Sequence, residues 1–141
     1  MTGPDLSRAV EEVKRVDHLY FVTLKYTRTA DVILNTIKRM ISAIEFGTED
    51  VLGYMHEKSR LKEIPQTNKE RVAILKRYGL TEEDIDFYNF LKRIERSSYS
   101  GREEYRKNVA MVTNFVEVDI ALLGEYFDKL RGVINKMEKI K

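Results

Sequence analysis

Two stretches of this chain set apolar side chains at alternating steps of four and three. Ile33, Ile37, Met40, Ile44, Gly47, Val51 and Tyr54 form the first, and Val116, Ile120, Leu123, Phe127, Leu130, Ile134 and Met137 the second. That spacing keeps one stripe of a helix turned toward a neighbour packed nearly antiparallel to it. A second row, Leu34, Ile41, Leu52 and Met55, widens the first face beyond what one neighbour covers. The constraint is strong: the expected class is all-α, an up-and-down helical bundle of about five helices, three long and two short. The surplus of apolar face on both long helices leads us to expect a dimer.

The remaining elements follow from caps and breaks. A first helix is expected near Asp5, after Gly3-Pro4, with Ala9, Val13, Val16 and Tyr20 on one stripe. Leu19-Tyr20-Phe21-Val22 is apolar all round, which suggests burial on more than one side. Its end or a kink is expected in KYTRTAD, where Thr27 or Thr29 caps the next helix. Within that helix, Gly47 marks either a close approach or a break. A linker, SRLKEIPQTN, precedes three signatures of a helix start: Thr67 with Glu70, Thr81 with Asp84, and Ser100 with Glu103. Gly79 reads as the left-handed stop of a short helix, and the next helix spans 82–96, burying Ile85, Tyr88, Leu91 and Ile94. The last helix then runs from Ser100 to the C-terminus, about 40 residues and about 60 Å if unbroken. Gly124 and Gly132 are places for it to bend, and VEVDI, which alternates like a strand, is outvoted by the heptads around it.

The chain has 141 residues, enough for one domain with a core that needs no staple. It has no cysteine, which excludes thiol catalysis, disulfides and thiolate metal sites. The start, MTGPDLSRAVEEVKR, carries acids and no apolar segment of signal-peptide length, and no apolar run approaches the ~20 residues of a membrane helix. The expected location is therefore cytoplasmic. Abundant Lys, Glu and Arg with a single Gln is a thermophile-like balance. A formal net charge of +2 means that any nucleic-acid role must come from a local patch.

Chemistry is sparse. The residues three before His18 and His56 are Arg15 and Gly53, so no Glu-x-x-His di-iron pair exists, and His56-Glu57 opens no H-E-x-x-H zinc helix. His18 reads as a helix-face histidine bonded to a neighbour. No phosphate loop, G-x-S-x-G or dinucleotide fingerprint is present, so we expect no metal, no cofactor and no catalytic residue. Two constellations remain. One is basic and aromatic: Arg96, Tyr99, Arg102, Tyr105, Arg106 and Asn108, in and just after a segment 92–107 with a local charge of +3. Arginine forks suit phosphates and tyrosine faces stack on bases. The same residues also fit a bland account, with Glu103 capping, Arg102 and Arg106 paired at i,i+4 on a solvated face, and Tyr105 anchored in the core. The other is Tyr20, Thr23 and Thr27 on one helical face with Arg28 at its boundary, which lines a pocket or makes cross-helix hydrogen bonds.

DHLYFVTLKYTRTADVILNTIKRMISAIEFG, a short-helix middle, and REEYRKNVAM opening a further long helix resemble the HEPN (higher eukaryotes and prokaryotes nucleotide-binding) superfamily of helical bundles, and within it an archaeal-type member. The resemblance implies dimerising up-and-down bundles, often beside a nucleotidyltransferase partner. It also implies RNA cleavage by an arginine followed four to six residues later by a histidine. Arg106-Lys107-Asn108 is the matching place, but Met111, Val112 and Thr113 stand where the histidine should be. Without that imidazole the main proton carrier is missing. Only Arg106 and Asn108 carry over, as contacts to phosphate or base. The expected function is a non-catalytic binding or assembly bundle that contacts nucleotide or RNA through the basic entrance of the last helix. The alternatives are a degenerate metal-independent ribonuclease and a purely structural adaptor or nucleotidyltransferase partner.

Overall fold

The structure, a computed structural model, describes residues 3–141. Helix α1, Ser7–His18, starts two residues after Asp5, whose carboxylate accepts from Ser7 N at 3.0 Å. It runs without a break into a π-helical turn, Leu19–Thr23, and one last α turn, α2, Leu24–Tyr26. Thr29 then caps α3, Ala30–Glu57, by accepting from Val32 N at 3.3 Å. The short α4, Asn68–Ile74, begins at Thr67, tightens into a 3-10 turn, Leu75–Tyr78, and stops at Gly79 with φ 115°. Helix α5, Glu82–Arg96, has a complete capping box between Thr81 and Asp84. These elements match the sequence reading because each boundary is a local event: a hydroxyl that satisfies an orphan amide, or a glycine that tolerates positive φ.

Three short strands follow: β1, Ser100–Arg102, β2, Ala110–Val112, and β3, Glu117–Asp119. They form an antiparallel sheet in chain order, pairing Arg102 with Ala110 and Val112 with Glu117. The last helix, α6, is Ile120–Glu138, with Asp119 as its cap at 2.8 Å from Leu122 N.

This is the main departure from the sequence reading. The chain is predominantly helical rather than wholly so, and no helix opens at Ser100. The Ser100–Glu103 box is not made: Ser100 is extended, while Glu103 and Tyr105 take positive φ, 49° and 65°. Two such residues in one turn cannot continue a right-handed helix. VEVDI does supply a strand. Thr113 folds the chain back into it, accepting from Phe115 N and Val116 N and donating to Val116 O at 2.8 Å. Val109, Ala110 and Met111 are all fully buried, a run too short for any period to show. Helix α6 passes Gly124 and Gly132 unbroken.

The long helices alternate in direction. Arg8 near the start of α1 meets Asp50 late in α3 at 2.7 Å, and Asp84 at the start of α5 meets Lys136 late in α6 at 2.6 Å. Helix α3 is central and packs on α1, α6 and α5. Both of its apolar rows are buried, from Ile33 and Leu34 through Val51 and Met55. Three neighbours within the chain thus cover the wide face from which a dimer was expected. Gly47 permits a close approach: a Cβ there would lie 2.5 Å from Met137 Sδ. One buried charge fastens α1 to α3: Glu12, 2% exposed, accepts from Arg15 at 3.0 Å and from Arg39 at 3.2 Å.

Candidate functional site

At the end of the bundle where α1 and α5 finish and α3 and α6 begin, the two constellations read from the sequence come together. The backbone N–H of Tyr105 donates to Arg28 O at 2.7 Å. Next to it, Glu104 Oε2 accepts from Ala30 N at 2.9 Å, so its carboxylate satisfies an orphan amide and complements the N-terminus of α3. The Tyr99 hydroxyl donates to Asp31 in the first turn of α3. That bond, more than any burial, raises the phenol above its ordinary pKa. Residues about 75 positions apart are thereby fixed side by side, which no reading of local pattern could foresee.

The positions of individual residues differ from expectation in instructive ways. Tyr105 is not a core anchor: it is 74% exposed. Arg102 and Arg106 do not form an i,i+4 pair, and Arg102 instead crosses the sheet to Glu117 at 2.6 Å. Phe21 and Val22, expected to be buried on more than one side, are 55% and 41% exposed. The π turn directs Tyr20 toward α6, where its hydroxyl donates to Ile120 O at 3.2 Å beside Gly124, while Phe21 meets the Tyr20 ring edge-on and leaves its own outer side open. Thr23 O accepts from Thr27 N at 2.8 Å, a bond that closes the end of the helical segment. Arg96 stands apart from the turn, in a cleft against α4. His18 is exposed, and His56 Nδ1 bonds Leu61 O at 3.0 Å.

Two features mark this end as unusual. The large hydrophobic residues exposed among the described residues are Phe21, Val22, Tyr26, Tyr99 and Tyr105, and all lie in these two segments. Tyr26, at 77%, is the most open. The second feature is how the charges are used. Asp31, Glu104, Glu117 and Asp119 all accept hydrogen bonds from the protein. Among the described residues, no carboxylate forms a salt bridge with Lys25, Arg28, Arg106 or Lys107. Formal charge nearly cancels here, yet four of the five acids, all but Glu103, are occupied and these four cations are not. Arg28 Nε is moreover shut off from solvent with no acceptor, a rare state for a buried donor.

A groove of about 370 Å³ runs beside the turn, lined by Arg102, Glu103, Lys107, Asn108, Asp119, Ile120 and Ala121. It brings Asn108 and Lys107 to the start of α6. Among the described residues, no group of three or more His, Asp or Glu is placed to hold a metal ion, and no helix is long and apolar enough to cross a membrane. No histidine follows Arg106 in the sequence, and the arrangement offers stacking faces and cations. Comparison with protein-family models, curated proteins and solved structures finds no match to this chain.

Proposed function

We propose that this end of the bundle binds single-stranded RNA without cleaving it. The observation that carries the reading is the confinement of the exposed aromatic side chains to two docked segments, 21–26 and 99–105, with Lys25, Arg28, Arg106 and Lys107 in or beside them and, among the described residues, without carboxylate partners. Aromatic faces take bases of any sequence at about 1–3 kcal/mol each, while lysine and arginine follow the phosphates. Tyr26 and Tyr105 are the stacking platforms, Lys25, Arg106 and Lys107 the phosphate contacts, and Asn108 an amide within reach of a base edge. The same residues suit a non-catalytic relative of the HEPN bundles: an arginine at position 106 with no histidine after it binds phosphate but moves no proton.

A second reading is favoured by one pair of residues. Phe21 and Val22 carry no charge and do nothing for a phosphate backbone, and an exposed apolar pair on a π turn suits self-association into the homodimer. One experiment addresses both: titration with a fluorescent oligouridylate at low and high salt, with molecular mass measured on the same samples. RNA binding should fall steeply with salt, and Tyr26→Ala with Tyr105→Ala should weaken it by about tenfold or more. Equal binding by wild type and the double variant would end the RNA reading. A mass that halves on Phe21→Ser, with RNA binding retained, would place the dimer seam on the π turn.

A further inference from the structure

The geometry points to a second, separate site: the cleft between α4 and α5 takes a phosphomonoester or diphosphate group. The cleft holds about 250 Å³ and is lined by Asn68, Lys69, Tyr88, Asn89, Lys92 and Arg96. Three of these six are cations, two are amides, and none is an acid. On α5, positions 88, 89, 92 and 96 fall on one face by their spacing, and Asn68 and Lys69 face them from the start of α4.

The floor of the cleft is built rather than incidental. The Tyr88 hydroxyl, on a ring only 1% exposed, donates to Glu45 Oε2 at 2.6 Å. Lys92 Nζ is steadied between Glu45 at 3.6 Å and Glu95 at 3.2 Å. An ammonium has three donors, so after two carboxylates one remains for a ligand. Arg96 and Lys69 have no carboxylate partner among the described residues. One fixed ammonium, one free ammonium, one free guanidinium fork and two amides therefore surround a small volume. Such a set of donors suits a group with two negative charges and several acceptor oxygens.

Size and surface define the ligand further. With Tyr88 buried, the cleft offers no aromatic face on which a base could stack, so recognition is of the phosphate itself. A phosphodiester inside a strand carries one charge and extends both ways, a poor match to a short cleft in which Lys69 and Arg96 stand without carboxylate partners beside the steadied Lys92. A terminal phosphate or a small diphosphate matches better. Two sources share this chemistry: the phosphorylated 5′ end of an RNA strand and a free small phosphate compound. Arg96 is three residues from Tyr99, at most about 11 Å along the chain, so a strand end held here could continue toward the aromatic end.

The test uses inorganic pyrophosphate in calorimetry at low salt, and 5′-phosphorylated against 5′-hydroxyl oligouridylate. Lys69→Gln with Arg96→Gln is the reporting variant, since both side chains are exposed and neither supports the core. Pyrophosphate affinity should fall about tenfold or more in it and stay unchanged in Arg106→Ala with Lys107→Ala. A preference for the 5′-phosphorylated strand that the first variant abolishes identifies the strand end as the source. Pyrophosphate binding with no such preference identifies a free compound. No heat up to about 10 mM pyrophosphate, or equal affinity in wild type and the reporting variant, overturns the proposal. The Arg106/Lys107 variant separates this site from the other end: pyrophosphate affinity lost there rather than in the reporting variant overturns the proposal, and failure of the RNA reading leaves the pyrophosphate result interpretable.

Discussion

The two ends of this bundle are built by opposite rules. Where α5 begins and α6 finishes, every local device agrees with the fold: a left-handed glycine stops one helix, Thr81 and Asp84 cap the next, and Lys136 reaches across to Asp84. At the other end, Glu103 and Tyr105 sit at positive φ without being glycine, aromatic rings face water, and Lys25, Arg28, Arg106 and Lys107 lack carboxylate partners among the described residues. Natural chains depart from local consistency mainly where function demands it. On the proposed function, the contrast separates a region built for stability from one built for contact.

The largest effect expected is at the consistent end. Met137 is fully buried against Gly47, and Met137→Ala should cost about 2–5 kcal/mol in urea unfolding. A loss under 1 kcal/mol would mean that this end packs as loosely as the other. Next is Asp84→Ala, which removes the box and the Lys136 bond together and should cost about 1–2 kcal/mol. Burial pushes this carboxyl up, but Lys136 and Thr81 outweigh it and hold its pKa below 3.8. The charged form therefore stabilises the fold fully above about pH 4, and the contribution fades as pH falls through the folded value. The gap between wild type and Asp84→Ala should accordingly narrow in acid; a gap that stays constant down to pH 2 would assign it to the cap geometry alone. The smallest effect has the opposite sign. Tyr105→Gly relieves a left-handed tyrosine and should stabilise by about 1 kcal/mol while weakening RNA binding. Destabilisation there would mean that the tyrosine belongs to the stable part after all.

The same contrast explains what could be read from the sequence. Thr29, Thr67, Thr81 and Gly79 announce their roles within four residues, and the α3 rows repeat often enough to fix a face. The sheet does not. Its strands are three residues long, and Val109, Ala110 and Met111 are buried without alternation. REEYRKNVAM has the composition of a helix start; what decides otherwise is tertiary, the docking of Glu104 and Tyr105 on the end of another helix. The site's residues were legible as types, arginines and tyrosines in a basic run. Their union with Tyr26 and Arg28 was not, because a contact across about 75 residues leaves no periodic trace. Arg96 was grouped with the turn by proximity in sequence, whereas its helix face carries it into the α4 cleft.

The π turn in the first helical segment also sets a phase. Ala9 and Val16, both fully buried, are seven residues apart, two α turns that return to the same side. Leu24, 1% exposed, lies eight residues beyond Val16, which in an unbroken α-helix would swing it by about 80°. The wider turn at Leu19–Thr23 absorbs one residue and brings Leu24 back into line. The surplus residue has to bulge somewhere, and it does so at Phe21 and Val22. The outward aromatic surface is thus the remainder left when a helix one residue too long for its core is kept in register at both ends.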